Sequence, residues 1–210
     1  MLLKSFRGRI GGNSKQMEEI KKPGKLQTIL LSAWVDAQKK YACAVPTKTQ
    51  IELRSIAQAM PFIQILEVVS ESDLVIRMAG SGLEQRVGHS LTGRSLSESL
   101  SDQNLSKTLP QLIESMEKAP FGLRRGFRNL CPEKGLSRAS TYDGATLLLP
   151  LAGPEGKINM AITVDEADEG SRQIYNTMTK TTSDGSTRMQ ETLWFDFIDL
   201  GHGMPDLSGL

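Results

Sequence analysis

The residues best suited to chemistry in this chain are few and widely separated. His89 and His202 are the only histidines, and Cys43 and Cys131 are the only cysteines. Metal sites in proteins need several such ligands at short spacing, so the sequence predicts no metal site. Two cysteines also define no disulfide framework, and we therefore expect a reducing cytoplasm as the environment.

Other catalytic patterns are equally sparse. Asp165, Glu166, Asp168 and Glu169 form an acidic cluster, but nothing near them would raise a carboxyl pKa, so we interpret the cluster as a solvated strand or helix end. The sequence has no phosphate-binding Gly-Lys-Ser/Thr loop and no nucleophile elbow. We predict that the protein is not an enzyme. An unrecognised small-molecule enzyme stays an alternative, because a fold alone never excludes activity.

Charge and length limit the partners and the fold. The 210 residues include 25 Lys and Arg against 24 Asp and Glu, and 39% are hydrophobic. This balance gives no electrostatic basis for binding nucleic acid or an anionic membrane. No stretch approaches the roughly 18 apolar residues of a membrane span. We therefore expect one cytoplasmic domain, over residues 25–168, with flanking segments.

The N-terminal part predicts an arm followed by a helix. Residues 1–24 are rich in Gly and Lys and end at the breaker Pro23-Gly24, which indicates a flexible arm. Residues 26–41 then show helical spacing of apolar side chains over much of the helix surface, namely Leu26, Ile29, Leu30, Leu31, Ala33, Trp34, Val35 and Ala37. Such a helix favours two partners, its own domain and a second subunit. The alternative is burial within one domain.

Two more elements precede the first strand pair. Thr49 and Glu52 have capping-box spacing and predict a second helix that ends at Pro61. Its core stripe would consist of Leu53, Ile56, Ala57 and Met60. The apolar run from Phe62 to Val69 predicts a buried strand.

The stretch from Asp73 to Gly93 predicts a strand, a short helix and tight turns. Leu74, Ile76 and Met78 alternate along the strand, and Arg77 lies between them. An inward Arg77 would need a carboxylate or an anionic ligand, whereas an outward one would be solvated. Glycines at the ends of these elements allow positive φ, at Gly80, Gly88 and Gly93.

The second half predicts a long helix and three strands. Residues 104–118 have helical spacing, and we place Pro110 in the tolerated first turn of a helix that starts near Thr108. Alternating strands follow near Phe121 to Phe127, at Leu147 to Leu151, and from Ile158 to Val164, and a hairpin loop at 153–156 joins the last two. Residues 169–210 contain a polar linker and an apolar segment, Leu193 to Leu200, which would add a strand to its own sheet or to a neighbour's.

This order of elements, and several motifs, resemble the PAS family, in particular a bacterial subfamily of small, largely single-domain members. The motifs are Ile76-Arg77-Met78-Ala79-Gly80, Val87-Gly88, Leu91-Thr92-Gly93, Leu148-Leu149-Pro150-Leu151 with Gly156, and the prolines Pro46 and Pro61. The resemblance covers about residues 30 to 165. It implies an α+β fold with a PAS-like antiparallel five-stranded sheet and helices on one face, plus the N-terminal helix and a C-terminal extension.

The resemblance also implies a sensory or regulatory protein with no catalytic output of its own. A small molecule would bind between the sheet and the long helix, with Arg77, Leu109, Ile113, Met116, Leu123, Phe127, Leu149 and Met160 as ligand-binding residues. These are also good core residues, so a packed interior without a ligand is the alternative. The cofactor is unknown. Haem is disfavoured because neither histidine is on the long helix, and photoadduct flavin is disfavoured because neither cysteine is in an Asn-Cys-Arg motif.

Two functional hypotheses follow. The first is a stand-alone sensor that binds a small molecule or a signalling partner and forms a homodimer through helix 26–41. The second is a ligand-free interaction adaptor that acts through the N-terminal helix or the C-terminal segment.

Overall fold

The computed structural model describes residues 5–8, 22–99, 103–131, 140–167 and 189–203. Its main feature is a seven-stranded antiparallel sheet in the order β1-β7-β4-β5-β6-β2-β3. The strands are β1 (Ser5–Gly8), β2 (Ile63–Ser70), β3 (Asp73–Ala79), β4 (Phe121–Cys131), β5 (Ser140–Ala152), β6 (Ile158–Ala167) and β7 (Met189–Asp199).

Four α-helices accompany the sheet in the described ranges. They are α1 (Lys25–Tyr41), α2 (Ser81–Val87), α3 (Leu96–Ser99) and α4 (Gln103–Ser115), with short 3-10 turns at Lys48–Gln50 and Met60–Phe62. Gly24 is the N-cap of the first helix and Ala42 is its C-cap, and Ala42 adopts a left-handed conformation with φ 50°. None of the described helices is long and apolar enough to cross a membrane.

The sheet has two faces that differ in the helices covering them. Residues paired across neighbouring strands share a face, and one such row consists of Leu123, Leu148, Thr163 and Gln64. The row on the opposite face consists of Arg124, Leu147, Val164 and Ile63.

The first helix covers the face that carries Arg124. Arg124 Nε donates a hydrogen bond to Gln27 Oε1 at 3.0 Å, and the Trp34 indole N–H donates to the Pro150 carbonyl at 2.8 Å. Leu30 and Trp34 are fully buried there. We name this side of the sheet the α1 face.

The other three helices lie on the opposite side. Arg86 of α2 pairs with Asp165, which is two residues from Thr163 on that face. Leu74 and Ile76 of β3 are fully buried, and α3 and α4 contact β3. We name this side the α4 face.

The predicted fold class, α+β with an antiparallel sheet, is confirmed. The five expected strands are β2 to β6, and the apolar C-terminal segment adds β7 to the same sheet, next to β4. The other neighbour of β7 is β1, which lies inside residues 1–24, where the sequence predicts only an arm. The predicted linker 176–188 lies outside the described residues.

Three local predictions differ from the structure. Residues 52–59 form successive turns rather than a helix, and Leu53 is 65% exposed. The capping box is formed by Thr47 and Gln50, at the start of the first 3-10 turn, and not by Thr49 and Glu52. A regular helix would bury Leu53 with Ile56, whereas the turns bury only Ile56.

Pro110 and Gly80 also differ from expectation. Because α4 begins at Gln103, Pro110 lies inside the helix, where it removes one backbone hydrogen bond. Gly80 has φ −69°, so positive φ is not its reason. A Cβ there would lie 2.2 Å from the Met60 carbonyl oxygen, so the need for glycine is steric. Gly88 and Gly93 do have positive φ, at 79° and 85°.

Candidate functional site

The predicted binding residues fall into three places. Four of them form part of the main apolar core between α4 and the sheet: Leu109, Ile113, Met116 and Leu123. Phe127 lies four residues after Leu123 on β4, and its partner Gly144 lies four residues before Leu148 on β5. Phe127 therefore faces the same side as Leu123, and it is fully buried. The structure thus brings five of the eight residues to the α4 face.

Leu149 and Met160 lie on the other face. Leu149 pairs with Ile162, two positions along the strands from Leu147 and Val164, and a Cβ at Gly122 would touch Leu149 at 3.0 Å. Met160 is two residues from Ile162 on the same strand. Both side chains therefore pack on the α1 face. Successive side chains of a strand point to opposite faces, and Leu149 and Met160 are each an odd number of positions from Leu148 and Thr163, respectively, which lie on the α4 face.

Arg77 lies apart from the other seven residues. Its side chain is 49% exposed, and its guanidinium forms an ion pair with Glu67 on the neighbouring strand. A register shift in the β2–β3 pairing leaves Arg77 without a directly opposite residue, and the side chain turns to solvent. Of the two sequence alternatives for Arg77, the structure has the outward one.

A polar row crosses the α4 face beside the apolar core. Arg125, Thr146 and Asp165 stand next to one another on β4, β5 and β6. The Thr146 hydroxyl donates to Asp165 Oδ1 at 2.7 Å, and Arg86 Nη2 of α2 donates to Asp165 Oδ2 at 2.6 Å. The row therefore links the sheet to the helix that covers it.

Arg125 extends the row toward β7. It is 6% exposed, its Nε donates to the Thr192 hydroxyl at 2.9 Å, and its guanidinium lies 5.8 Å from the ring centre of Phe127. A planar guanidinium that stacks on an aromatic ring has a geometry that suits the recognition of carboxylate or carbonyl oxygens.

The α4 face consequently combines two kinds of surface. Its core end is apolar, around Leu123 and Ile113, and its other end carries Arg125, Thr146 and Asp165. Small-molecule sites in proteins typically have this composition, with an apolar lining and a few polar groups that fix orientation.

The sequence predictions missed the polar row, although a signal was present. Thr146 lies between the buried Ala145 and Leu147, and Asp165 follows the buried Val164. A polar residue at every second position of a covered strand indicates either a solvated face or a face with polar partners. Only the pairing of β5 with β6 shows which of the two applies.

The acidic cluster does not form the solvated end that we expected. Asp165 is half-buried in its pair with Arg86, and Glu166 is buried on the α1 face. Glu166 Oε2 accepts hydrogen bonds from the backbone N–H groups of Leu26, at 3.0 Å, and Gln27, at 3.2 Å. Glu166 thus caps the start of α1 from a neighbouring strand, and Asp168 and Glu169 lie outside the described residues.

A second polar cluster surrounds this cap. Arg124 contacts Gln27, forms an ion pair with Asp196 at 3.6 Å, and lies 5.2 Å from the Trp194 ring centre. Burial lowers the pKa of Arg124, and the charges of Asp196 and Glu166 oppose that shift. We name Gln27, Arg124, Glu166, Trp194 and Asp196 the α1 cluster.

The loop after α2 holds one carboxylate firmly. Glu84 Oε1 accepts hydrogen bonds from the Leu91 backbone N–H and the Ser90 hydroxyl, both at 2.9 Å. These bonds, first the one from Leu91, lower the pKa of Glu84. The loop that begins at Gly88 is therefore closed over the end of α2.

The two histidines, which are the residues best suited to bind a metal or a haem, lie in different parts of the structure. His89 follows α2 and His202 follows β7, and both are exposed. Within the described ranges no three His, Cys, Asp or Glu side chains are close enough to hold a metal ion.

Comparison with known proteins finds partial likenesses of fold. No protein-family model matches the sequence, and no curated protein gives a significant match. The structure of VqmA bound to DPO is 12% identical, with a TM-score of 0.38 over 57% of this chain and 59% of the VqmA chain. The PAS domain of a Colwellia psychrerythraea protein is 15% identical, with a TM-score of 0.35 over 56% of this chain and 98% of that domain.

The LOV domain of the photoreceptor Aureochrome1 is 14% identical, with a TM-score of 0.35 over 61% of this chain and 98% of that domain. PAS and LOV domains are thus among the structures that this chain resembles, while the matched part spans less than two thirds of VqmA. At these values the likenesses support no conclusion about ligand, partner or activity. Membership of the small bacterial PAS subfamily stays a prediction.

Proposed function

We propose that this chain is a sensory or regulatory PAS-like protein that binds a small molecule between α4 and the α4 face of the sheet, without a catalytic output of its own. The observation that carries the proposal is that the polar row of Arg125, Thr146 and Asp165 lies two positions along the strands from the apolar residues Leu123 and Leu148, on the same face of the sheet. Each of these three side chains must find partners at a cost, so their position in one row beside an apolar surface supports a site that also receives a polar group.

The ligand that fits this arrangement has an apolar body and one polar end. Its body would contact Ile113 and Leu123, and its polar end would exchange hydrogen bonds with Arg125 or Thr146. The ligand-binding residues are then Leu109, Ile113, Met116, Leu123 and Phe127 from the sequence prediction, joined by the polar row. Leu149, Met160 and Arg77 are not part of this proposed site.

A matched pair of substitutions tests the proposal. Met116 follows α4 and Met160 lies on the α1 face, and both are buried. Protein from native expression is purified, denatured and extracted, and the extract is analysed by mass spectrometry. We expect a stoichiometric organic molecule from the wild type and from Met160→Phe, and a loss of most of it from Met116→Phe, because the added ring fills the space beneath α4. An extract without any such molecule, or an equal loss in both variants, would refute the proposal.

The adaptor alternative is less well supported by the geometry. Its two candidate elements are built into the domain, since Trp34 of α1 is fully buried and Trp194 of β7 is 2% exposed. Both would have to leave the sheet to bind a partner. An empty interior in the extraction experiment would favour this alternative.

The homodimer through helix 26–41 stays a proposal. Leu31 and Val35 of α1 are half-buried and pack at the margin of the core, so part of an apolar surface remains for a second copy. Sedimentation at high concentration should then show a dimer that Leu31→Lys dissociates, and a monomeric wild type would rule it out. A signalling partner, a cytoplasmic location and the lack of nucleic-acid binding likewise stay predictions.

A further inference from the structure

One side chain of the α1 cluster contacts two elements that are distant in sequence. Arg124 Nε donates to Gln27 of α1 at 3.0 Å. The same guanidinium forms the ion pair with Asp196 and lies over the ring of Trp194, both on β7. A further hydrogen bond, between Gln38 and His202 at 3.2 Å, joins the end of α1 to the turn after β7.

The burial of Arg124 makes these contacts depend on one another. Arg124 is 3% exposed, and a buried cation is stabilised only if its hydrogen bonds and opposite charges are all in place. When α1 lifts, water reaches the guanidinium, and the ion pair with Asp196 is weakened to that of a surface pair. The loss of α1 therefore weakens the attachment of β7, and the reverse holds by the same contacts.

The packing of β7 on β4 makes the attachment of β7 depend more strongly on its contacts with Arg124. The Trp194 ring lies directly over Gly126, where a Cβ would be 2.1 Å from Trp194 Nε1. That indole N–H is buried without a hydrogen-bond acceptor in the described part of the chain. A buried donor without an acceptor destabilises the docked state, so β7 is held less firmly than its apolar contacts alone would suggest.

We propose that Arg124 couples α1 and β7, so that the two elements detach from the sheet as one cooperative unit. Their joint release would uncover the backbone N–H and C=O groups of β4 along the edge where β7 lies. A free strand edge of this kind can pair with an extended segment of another protein. The docked unit thus blocks that edge.

Hydrogen exchange of the full chain, followed by mass spectrometry, tests the coupling in both directions. Gln27→Met removes the hydrogen bond from Arg124, together with the one that Gln27 donates to the Ala145 carbonyl, and its effect is measured in β7. Asp196→Asn weakens the ion pair on β7, and its effect is measured in α1. We expect each substitution to raise the exchange of both elements by a similar factor, about tenfold, which is within the usual range for coupled sites. The exchange of β2 and β6 should not change.

Two control variants separate coupling from general destabilisation. Ser32→Ala alters an exposed position of α1, and Arg128→Met removes a half-exposed ion pair on β4. Neither should accelerate exchange in α1 and β7 together. The proposal is wrong if Gln27→Met loosens α1 alone or if Asp196→Asn loosens β7 alone.

The same two substitutions are also made in an Arg124→Met variant, which tests whether the coupling passes through Arg124. In Arg124→Met, the effects of Gln27→Met on α1 and of Asp196→Asn on β7 should become independent, because the connecting side chain is gone. Persistence of the full coupling in that background would also overturn the proposal. If Arg124→Met does not fold, the two single variants still decide the outcome.

Discussion

The two faces of the sheet are built from alternate residues of the same strands, yet they differ in chemistry. On the α1 face, Leu147, Leu149, Ile162 and Val164 form an aliphatic surface under the helix. On the α4 face, their immediate neighbours include Thr146, Thr163 and Asp165. The α1 face is thus aliphatic beneath most of the helix and has its buried charges near the start of α1, whereas the face that we propose to bind a ligand has polar side chains beside its apolar core.

The charged residues of the two faces differ in the same way. On the α1 face they collect at the start of α1, where Glu166 and Arg124 hold the helix and β7. On the α4 face, Arg125 and Asp165 lie in one row on the sheet, next to the core. On the α1 face the polar contacts therefore hold α1 and β7 against the sheet. On the α4 face they lie beside the apolar core.

The largest expected effect concerns the aliphatic face. Trp34→Ala removes a fully buried ring and its hydrogen bond to Pro150, and we expect the free energy of unfolding to fall by about 3–5 kcal/mol. Chemical denaturation measures it, with Trp34→Phe as the control that keeps most of the buried area. A loss below about 1 kcal/mol for the alanine variant would mean that α1 contributes little to the fold.

The next effect concerns the polar row. Asp165→Asn leaves Arg86 without its carboxylate in a half-buried position, and we expect a loss of about 1–3 kcal/mol in the free energy of unfolding. The matched control is Asp143→Asn, whose partner Arg128 is 41% exposed and whose pair should contribute about 0–1 kcal/mol. Equal losses in the two variants would mean that the Asp165–Arg86 pair contributes no more to the free energy of unfolding than a surface ion pair does.

A smaller effect is expected at the cap of α1. Glu166→Gln removes the negative charge that accepts the N–H groups of Leu26 and Gln27, and a lost cap costs about 1 kcal/mol. Amide exchange should rise in the first turn of α1 more than in α4. Glu155→Gln, in the exposed hairpin loop, serves as the control and should leave both helices unchanged.

The smallest effect is a dependence on pH beside the α4 face. The bonds from Leu91 and Ser90 lower the pKa of Glu84. The ionised carboxylate therefore stabilises the loop at pH values above the usual titration range of a glutamate. That contribution is lost as the pH falls through the lowered pKa. A side-chain NMR titration should find Glu84 below its ordinary value, and Ser90→Ala should move it upward. An unchanged midpoint in Ser90→Ala would show that the lowered pKa does not depend on the Ser90 hydroxyl, and would leave the backbone N–H of Leu91 as its main cause.

Local patterns predict β2 to β7 and most of the helices, but not β1, which lies in the segment predicted as an arm. The alternation from Ile158 to Val164 placed β6, and the spacing from Leu26 to Tyr41 placed α1. The same logic failed at residues 52–59, where Leu53 and Ile56 fit a helical stripe but the chain forms turns. Spacing of apolar residues does not distinguish a helix from successive turns that bury every third or fourth side chain.

The candidate site was harder to predict because it depends on pairing between distant segments. Leu149 was assigned to the α4 side, yet its face is fixed by register against β4 and β6 rather than by its own segment. A shift of one residue exchanges the two faces of a strand. The contact of Arg124 with Gln27 joins residues 97 positions apart, and no pattern in either segment indicates it.

The position of β7 has a consequence for the order in which the protein is made. The ribosome completes β4 at Cys131 and reaches β7 only at Met189, and synthesis of the intervening chain takes on the order of seconds. During that interval β4 has its neighbour β5 but lacks β7, so its other edge is open to nascent chains and to chaperones. Until then Arg124 lacks Asp196 and Trp194, so the link that it makes between α1 and β7 is completed only when the last strand has been made.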